Sequence, residues 1–295
     1  MKGKRILVGV AVIVGLLVFF FAVFLLMGRM MGESGRFAFG DKVAIIEIKG
    51  VIAQSSDVIE ELLQYREDHG VKAIVLRIDS PGGGVGPSQE IYEEILKVRK
   101  EKKVVTSMGS VSASGGYYIA CASDVIVANP GTITGSIGVL MQFSSFEELF
   151  KKIGIKGVTL KAGAYKDAGS PFREMTPEEK RLMQLVLDNV HNQFIQAVAK
   201  GRNLDPAKVT EVADGRIFTG EQAKEYGLVD KMGNLQDAIE EAARLGNISG
   251  KPNIIYPRRK RSLLDLLLRE MASTLLDVLN EKGYELNYLV SPLKG

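Results

Sequence analysis

Tryptophan is absent from this chain of 295 residues, cysteine occurs once and histidine twice. Cys121, standing alone, excludes an intramolecular disulfide and any metal site built on several thiolates. His69 and His191 leave a catalytic histidine few places to be. An excess of one charge is missing too. Lys and Arg number 38 against 35 Asp and Glu, a formal net charge of +3. That is too small to argue for nucleic acid, and no arginine-glycine tract or zinc-finger spacing argues for it either. Hydrophobic residues make up 46% and charged residues 25%, the composition of a globular protein rather than a disordered one. No metal and no cofactor is expected.

Charge is also lacking from Ile6 to Met27. At about 1.5 Å per residue that run spans roughly the 30 Å hydrocarbon core of a bilayer. It is longer than the apolar region of a cleaved signal peptide, and no Ala-x-Ala site follows. Residues 6–27 therefore read as an uncleaved single-pass signal anchor. Lys2, Lys4 and Arg5 hold residues 1–5 in the cytoplasm. The rest of the chain is then expected on the extracytoplasmic side of the cell's inner, or cytoplasmic, membrane.

Beyond the anchor, strand and helix patterns alternate. Val43–Ile48, Ala73–Ile78, Val104–Ser107 and Val125–Ala128 read as buried strands, with further strands at Val139–Met141 and Gly157–Leu160. Asp57–Glu67, Ser88–Lys100 and Phe146–Ile153 read as helices. This order predicts an α/β fold with a mainly parallel sheet. After Pro171 the pattern turns helical. Thr176 caps a helix with Pro177 at its first position, running to Ala199 and ending at Gly201. Pro206, Thr219 and Asn234 begin three more. One domain is expected over 42–250. Residues 251–295 form a basic, leucine-rich extension that fits a packing helix at a subunit contact or an amphipathic helix on a membrane surface.

Four segments carry residues suited to chemistry. Ser114 stands in Ser112-Ala113-Ser114-Gly115-Gly116-Tyr117-Tyr118. A serine hydroxyl is a weak nucleophile and needs a base. A glycine directly after it permits a sharp turn and frees an amide to face a developing oxyanion. The same serine also fits a plain helix N-cap. Ser80-Pro81-Gly82-Gly83-Gly84 follows a strand and lacks the Gly-Lys-Ser/Thr of a P-loop, which leaves a second oxyanion donor or a simple tight turn. Lys166 lies among Gly163, Ala164, Tyr165, Ala168 and Gly169. A lysine serves as base only when neutral, which burial favours. Asp167 beside it works against that, and Lys161 competes for the role. Ser136, in Thr134-Gly135-Ser136, fits either a partner for the lysine amine or strand-edge packing.

Taken together and in this order, the segments resemble the signal peptide peptidase A (protease IV) family, of the single-catalytic-domain type. The resemblance covers about Val43 to Ala242. It rests on Asp79–Gly84, Ser107–Ser110, Ala113–Tyr118, Thr134–Ser136, Lys166 with Ser170-Pro171 and Arg173–Thr176, Asp214–Arg216 and Gly227–Asp230. It implies Ser114 as nucleophile, Lys166 as general base, the Gly83 and Gly115 amides as oxyanion hole, and Ser136 as an assistant to Lys166. The implied fold is a ClpP/crotonase-like spiral of parallel ββα units, preceded by the N-terminal transmembrane helix and assembled as a homo-oligomeric ring. The implied activity is that of a membrane-anchored serine endopeptidase degrading cleaved signal peptides and other unfolded or membrane-released peptides. Two other readings share some of these features. A crotonase-type acyl-CoA enzyme would use the same oxyanion geometry, and a non-catalytic peptide-binding scaffold would need neither Ser114 nor Lys166.

Overall fold

Runs of β-branched and apolar residues build the centre of this protein, whose computed structural model describes residues 40–256 together with 15, 16 and 19–21. The elements follow in chain order: β1 (Lys42–Ile52), α1 (Ser56–Glu67), β2 (Val71–Gly83), α2 (Val85–Val98), β3 (Lys103–Ala113), α3 (Gly115–Ala120), β4 (Val125–Ala128) and β5 (Ile133–Gly135). Then come α4 (Glu147–Lys152), α5 (Pro177–Arg202), α6 (Pro206–Val212), β6 (Ile217–Thr219), α7 (Gly220–Glu225), β7 (Lys231–Met232), α8 (Leu235–Leu245) and β8 (Asn253–Ile255). Chain contacts separate Met1–Ile255 from Tyr256–Gly295, and these elements all belong to the first unit. The anchor expected over 6–27, apart from five of its residues, and the extension beyond Tyr256 lie outside the described residues. Among the described residues no helix is long and apolar enough to cross a membrane.

The fold is α/β, and its sheet runs β6-β5-β3-β2-β1-β8, with β4 on β3 and β7 on β4. Every pairing is parallel except β5 with β6. β3 divides its partners. Val105–Ser107 pair with β4, and Val111–Ala113 pair with β5. Alternation along β1 sends Ala44, Ile46 and Ile48 to the face covered by α1, α2 and α3, and Val43 and Ile45 to the face covered by α8. Burial on both faces is why the strands read as continuous apolar runs.

Three expectations need correcting. β2 does not stop at Ile78 but continues through Gly83. Lys49 pairs with Asp79 and Val51 with Gly82, so a bulge absorbs Pro81, which has no amide to give to the ladder. Beyond it, a side chain at Gly83 would collide with the Ile52 backbone. The third strand likewise runs on to Ala113. Among the described residues no strand forms at 139–141 or 157–160.

The late helices start where expected, because capping is local. Thr176 with Glu179, Thr219 with Gln222 and Asn234 with Asp237 each form a reciprocal capping box. α5 ends at Arg202, with Asn203 in the left-handed region at φ 51°.

Candidate active site

Ser114 follows directly on β3 and precedes α3, with φ 51° and ψ −120°. A non-glycine residue held there is strained, and such strain persists only where the surroundings impose it. They do so here: the Ser114 amide donates to the Gly135 carbonyl at 2.9 Å, and its carbonyl accepts from the Tyr118 amide at 2.8 Å. Although Ser114 occupies the N-cap position, its side chain makes no cap hydrogen bond. The hydroxyl is therefore not spent on holding the helix.

The glycine run closing β2 abuts this turn. A Cβ placed on Gly82 would lie 2.8 Å from both the Gly115 nitrogen and the Ser114 Cβ. One on Gly115 would lie 3.3 Å from the Gly83 nitrogen and 2.5 Å from the Ser88 Oγ. Only glycine lets two backbones approach so closely. Gly84 gives its amide to the Ile52 carbonyl at 2.8 Å, so the Gly83 amide, one residue earlier, turns to the side of the strand away from β1. Gly115 opens α3, where an amide has no acceptor within its own helix. Two backbone amides thus stand beside one serine at the carboxyl ends of β2 and β3. Beneath them, the Ser80 hydroxyl is fully buried and accepts from the Gly82 amide at 3.1 Å.

A cavity of about 30 Å³ opens at Ser114, Gly83 and Gly115. Its walls are largely apolar: Val85 from α2, Val139 beyond β5, and Val190 and Phe194 from α5.

Lys166 is not part of this cavity. It is exposed, in a turn where its amide donates to the Gly163 carbonyl at 3.3 Å. The surrounding segment packs largely on itself. Phe150 stacks on Phe172 at 5.1 Å, Phe146 meets Phe150 edge-on at 6.2 Å, and the Phe146 amide donates to the Pro171 carbonyl. Asp167 is matched by cations other than Lys166. It accepts from Arg173 at 2.8 and 2.9 Å and from Lys161. Arg173, and after it Lys161, hold the Asp167 carboxyl well below the usual carboxylate range. Lys161 is thus committed to Asp167 and to the Ala164 carbonyl.

Ser136 follows β5 with φ 50° and gives its amide to the Arg216 carbonyl at 2.8 Å. It directly follows Gly135, whose carbonyl holds the Ser114 amide, but it does not line the cavity. Neither do the two histidines. His69 is exposed in the loop after α1, and His191 lies on α5 with a buried, unpartnered Nε2. Among the described residues no group of His, Cys, Asp and Glu is arranged to hold a metal. The structure thus brings Ser114, Gly83 and Gly115 together and leaves Lys166 and Ser136 outside their cavity. Sequence reasoning missed Arg173 as the clamp on the Lys166 loop, and Gln89, Tyr118, Val190 and Phe194 as cavity walls. For Arg173 the one available signal was an arginine six residues from both Asp167 and Glu179.

Comparison with known proteins identifies the family. The model of peptidase family S49 matches residues 97–249, and that of Clp protease matches residues 41–129. A Synechocystis sp. protein assigned as a protease is 47% identical over 208 residues, 70% of this chain and 75% of its own length. An Enterococcus faecium protein assigned as a signal peptide peptidase, SppA, is 36% identical over 229 residues, 73% of this chain and 67% of its own. A chloroplastic serine protease SPPA of Arabidopsis thaliana is 35% identical over 254 residues, 81% of this chain but 38% of its own.

Proposed function

We propose that this chain, which belongs to peptidase family S49 and is a serine peptidase, cuts peptides with a Ser114–Lys166 dyad completed between two copies of itself. The observation that carries this reading is the meeting of a strained serine, φ 51°, with the glycine backbones at Gly82–Gly83 and Gly115 over a small apolar cavity. In the reaction Ser114 Oγ bonds to the scissile carbonyl carbon, and its proton passes to the neutral Lys166 amine. The oxyanion forms against the Gly83 and Gly115 amides. Collapse breaks the C–N bond, and Lys166 returns the proton to the leaving nitrogen. Water, deprotonated by Lys166, then hydrolyses the Ser114 ester.

In this reading the lysine comes from another copy, and the exposed, apolar character of its own segment supports it. Leu140, Val158 and Leu160 are 80%, 85% and 95% exposed. So much bare apolar surface on one segment marks a contact. Packing it against the Ser114 face of a neighbour would also cover Lys166 and favour its neutral form. Repeated head to tail, that contact closes a homo-oligomeric ring. In this reading Ser136, next to the Gly135 that holds the Ser114 amide, receives and orients the incoming amine.

The substrates are signal peptides left after release, and other unfolded peptides. The apolar cavity suits the apolar side chains of such segments, the name of the Enterococcus relative agrees, and the uncharged run from Ile6 to Met27, read as an anchor, would hold the catalytic domain at the membrane surface. The test is complementation. Purified Ser114→Ala and Lys166→Ala should each be inactive on a fluorogenic peptide and regain turnover when dissociated and reassembled together. A mixture that stays dead would place both residues in one copy, and turnover by Ser114→Ala alone would remove it as nucleophile.

A further inference from the structure

We propose that Arg173 is a positioning residue for Lys166. It engages the Asp167 carboxylate on one side and Glu179 of α5 on the other, and so keeps Asp167 from pairing with the amine next to it. The inference rests on Lys166 as the base and adds the group that keeps that base free.

The sequence sets the problem. Asp167 directly follows Lys166. A carboxylate beside an amine favours its charged form, whereas a general base must be neutral. When a neighbouring copy covers the amine, less water screens that attraction and the conflict grows.

The fold answers by giving Asp167 other partners. Arg173 Nε donates to Asp167 Oδ2 at 2.9 Å and Nη2 to Oδ1 at 2.8 Å, a two-pronged grip that a guanidinium offers and an ammonium does not. Arg173 is itself anchored. Its Nη1 and Nη2 donate to Glu179 at 2.8 and 2.5 Å. The Glu179 side chain, 3% exposed, also accepts from the Thr176 amide at the start of α5. One guanidinium thus ties the loop to the helix. Lys161 supplies a second cation at Asp167 Oδ1. Among the described residues the Lys166 side chain makes no hydrogen bond and no ion pair. The other charged groups of this loop and of the elements packed on it are matched or exposed. Glu147 and Glu148 of α4 pair with Lys151, and Glu178 of α5 pairs with Arg181. Lys156, Tyr165, Glu174 and Lys180 are exposed. Without Arg173, Lys161 still holds Oδ1, but Oδ2 loses its donor and is open to Lys166.

The experiment follows kcat and KM against pH for the full chain on a fluorogenic peptide, with assembly size checked by light scattering at each pH. In wild type kcat should rise with pH as Lys166 becomes neutral. In Arg173→Met that rise should move to higher pH by about one unit or more, the effect of one unmatched carboxylate beside an amine. At pH 7 kcat should then fall about 10-fold, with KM little changed. Adding Asp167→Asn removes the offending charge and should return the rise to its wild-type position. A merely structural role would lower kcat at every pH, and the second substitution would restore nothing. A rise that stays in place in Arg173→Met overturns the proposal. If that variant does not assemble because Glu179 is left buried without its cation, Arg173→Met with Glu179→Gln reads the same rise with the same consequence. Lys166→Ala separates the two levels. Turnover by that variant with the wild-type pH dependence sinks the base. An inactive Lys166→Ala beside an unmoved rise in Arg173→Met sinks the role of Arg173 alone.

Discussion

Cys121 is fully buried behind α3, where burial pushes its thiol up to about 12. Burial likewise pushes the Tyr65 and Tyr92 hydroxyls up to about 12. The sign of the linkage follows. In the unfolded chain the thiol ionises near its ordinary value of about 8.5 and tyrosines near 10, while the folded protein keeps the protons. Stability from these groups is whole below about pH 8.5 and is lost as pH rises toward 12. We expect the denaturation midpoint to fall progressively over that range. A thiol reagent at pH 8 should label Cys121 only after unfolding. Rapid labelling of the folded protein would contradict its buried placement. At the acid end Glu179, held by Arg173 and by the Thr176 amide, is lowered to about 2. The clamp on the Lys166 loop therefore survives ordinary acidity and releases only as pH falls from about 4 toward 2.

At the scale of elements, the site is made by two strand ends that meet. β2 carries its glycines past a bulge to reach the turn in which β3 delivers Ser114. The tightness of that meeting makes a prediction. Gly115→Ala keeps its amide but sets a Cβ 2.5 Å from the Ser88 Oγ, so the α3 start must shift. Losing one oxyanion donor costs on the order of 100- to 1,000-fold in kcat, and on the role proposed for the Gly115 amide its displacement should approach that. Adding Ser88→Ala removes the obstructing atom and should restore much of the loss. If the double variant is no better than Gly115→Ala alone, the harm does not come from that contact. α5 joins in by laying Val190 and Phe194 over the cavity. His191, on the same helix, does not line it, and His191→Ala should keep near-normal turnover.

For the whole molecule, the exposed segment around Lys166 decides whether one chain suffices. Leu160→Glu, at a position 95% exposed in the single chain, should leave the fold intact by circular dichroism. It should still shrink the assembly by light scattering and lower peptide cleavage at least 10-fold, since a charge buried in an apolar contact is disfavoured. A full-size, fully active assembly would show that this surface faces solvent.

What the chain itself determined was whatever depends on near neighbours. Strand cores such as Val125–Ala128 follow from apolar runs, and the starts at Thr176, Thr219 and Asn234 follow from caps that span three residues. The glycines at 82–83 and 115 announced a close backbone approach, because nothing else fits one. Only the tertiary structure decided how far β2 continues, because a bulge against Gly50 lets the ladder pass Pro81. It also decided that Gln89 and Phe194, about a hundred residues apart, wall one cavity, and that Lys166 does not line it. Register, cavity walls and the reach of a loop are set by segments distant along the chain. Their energies depend on which surfaces meet, and no local pattern of residues encodes that meeting.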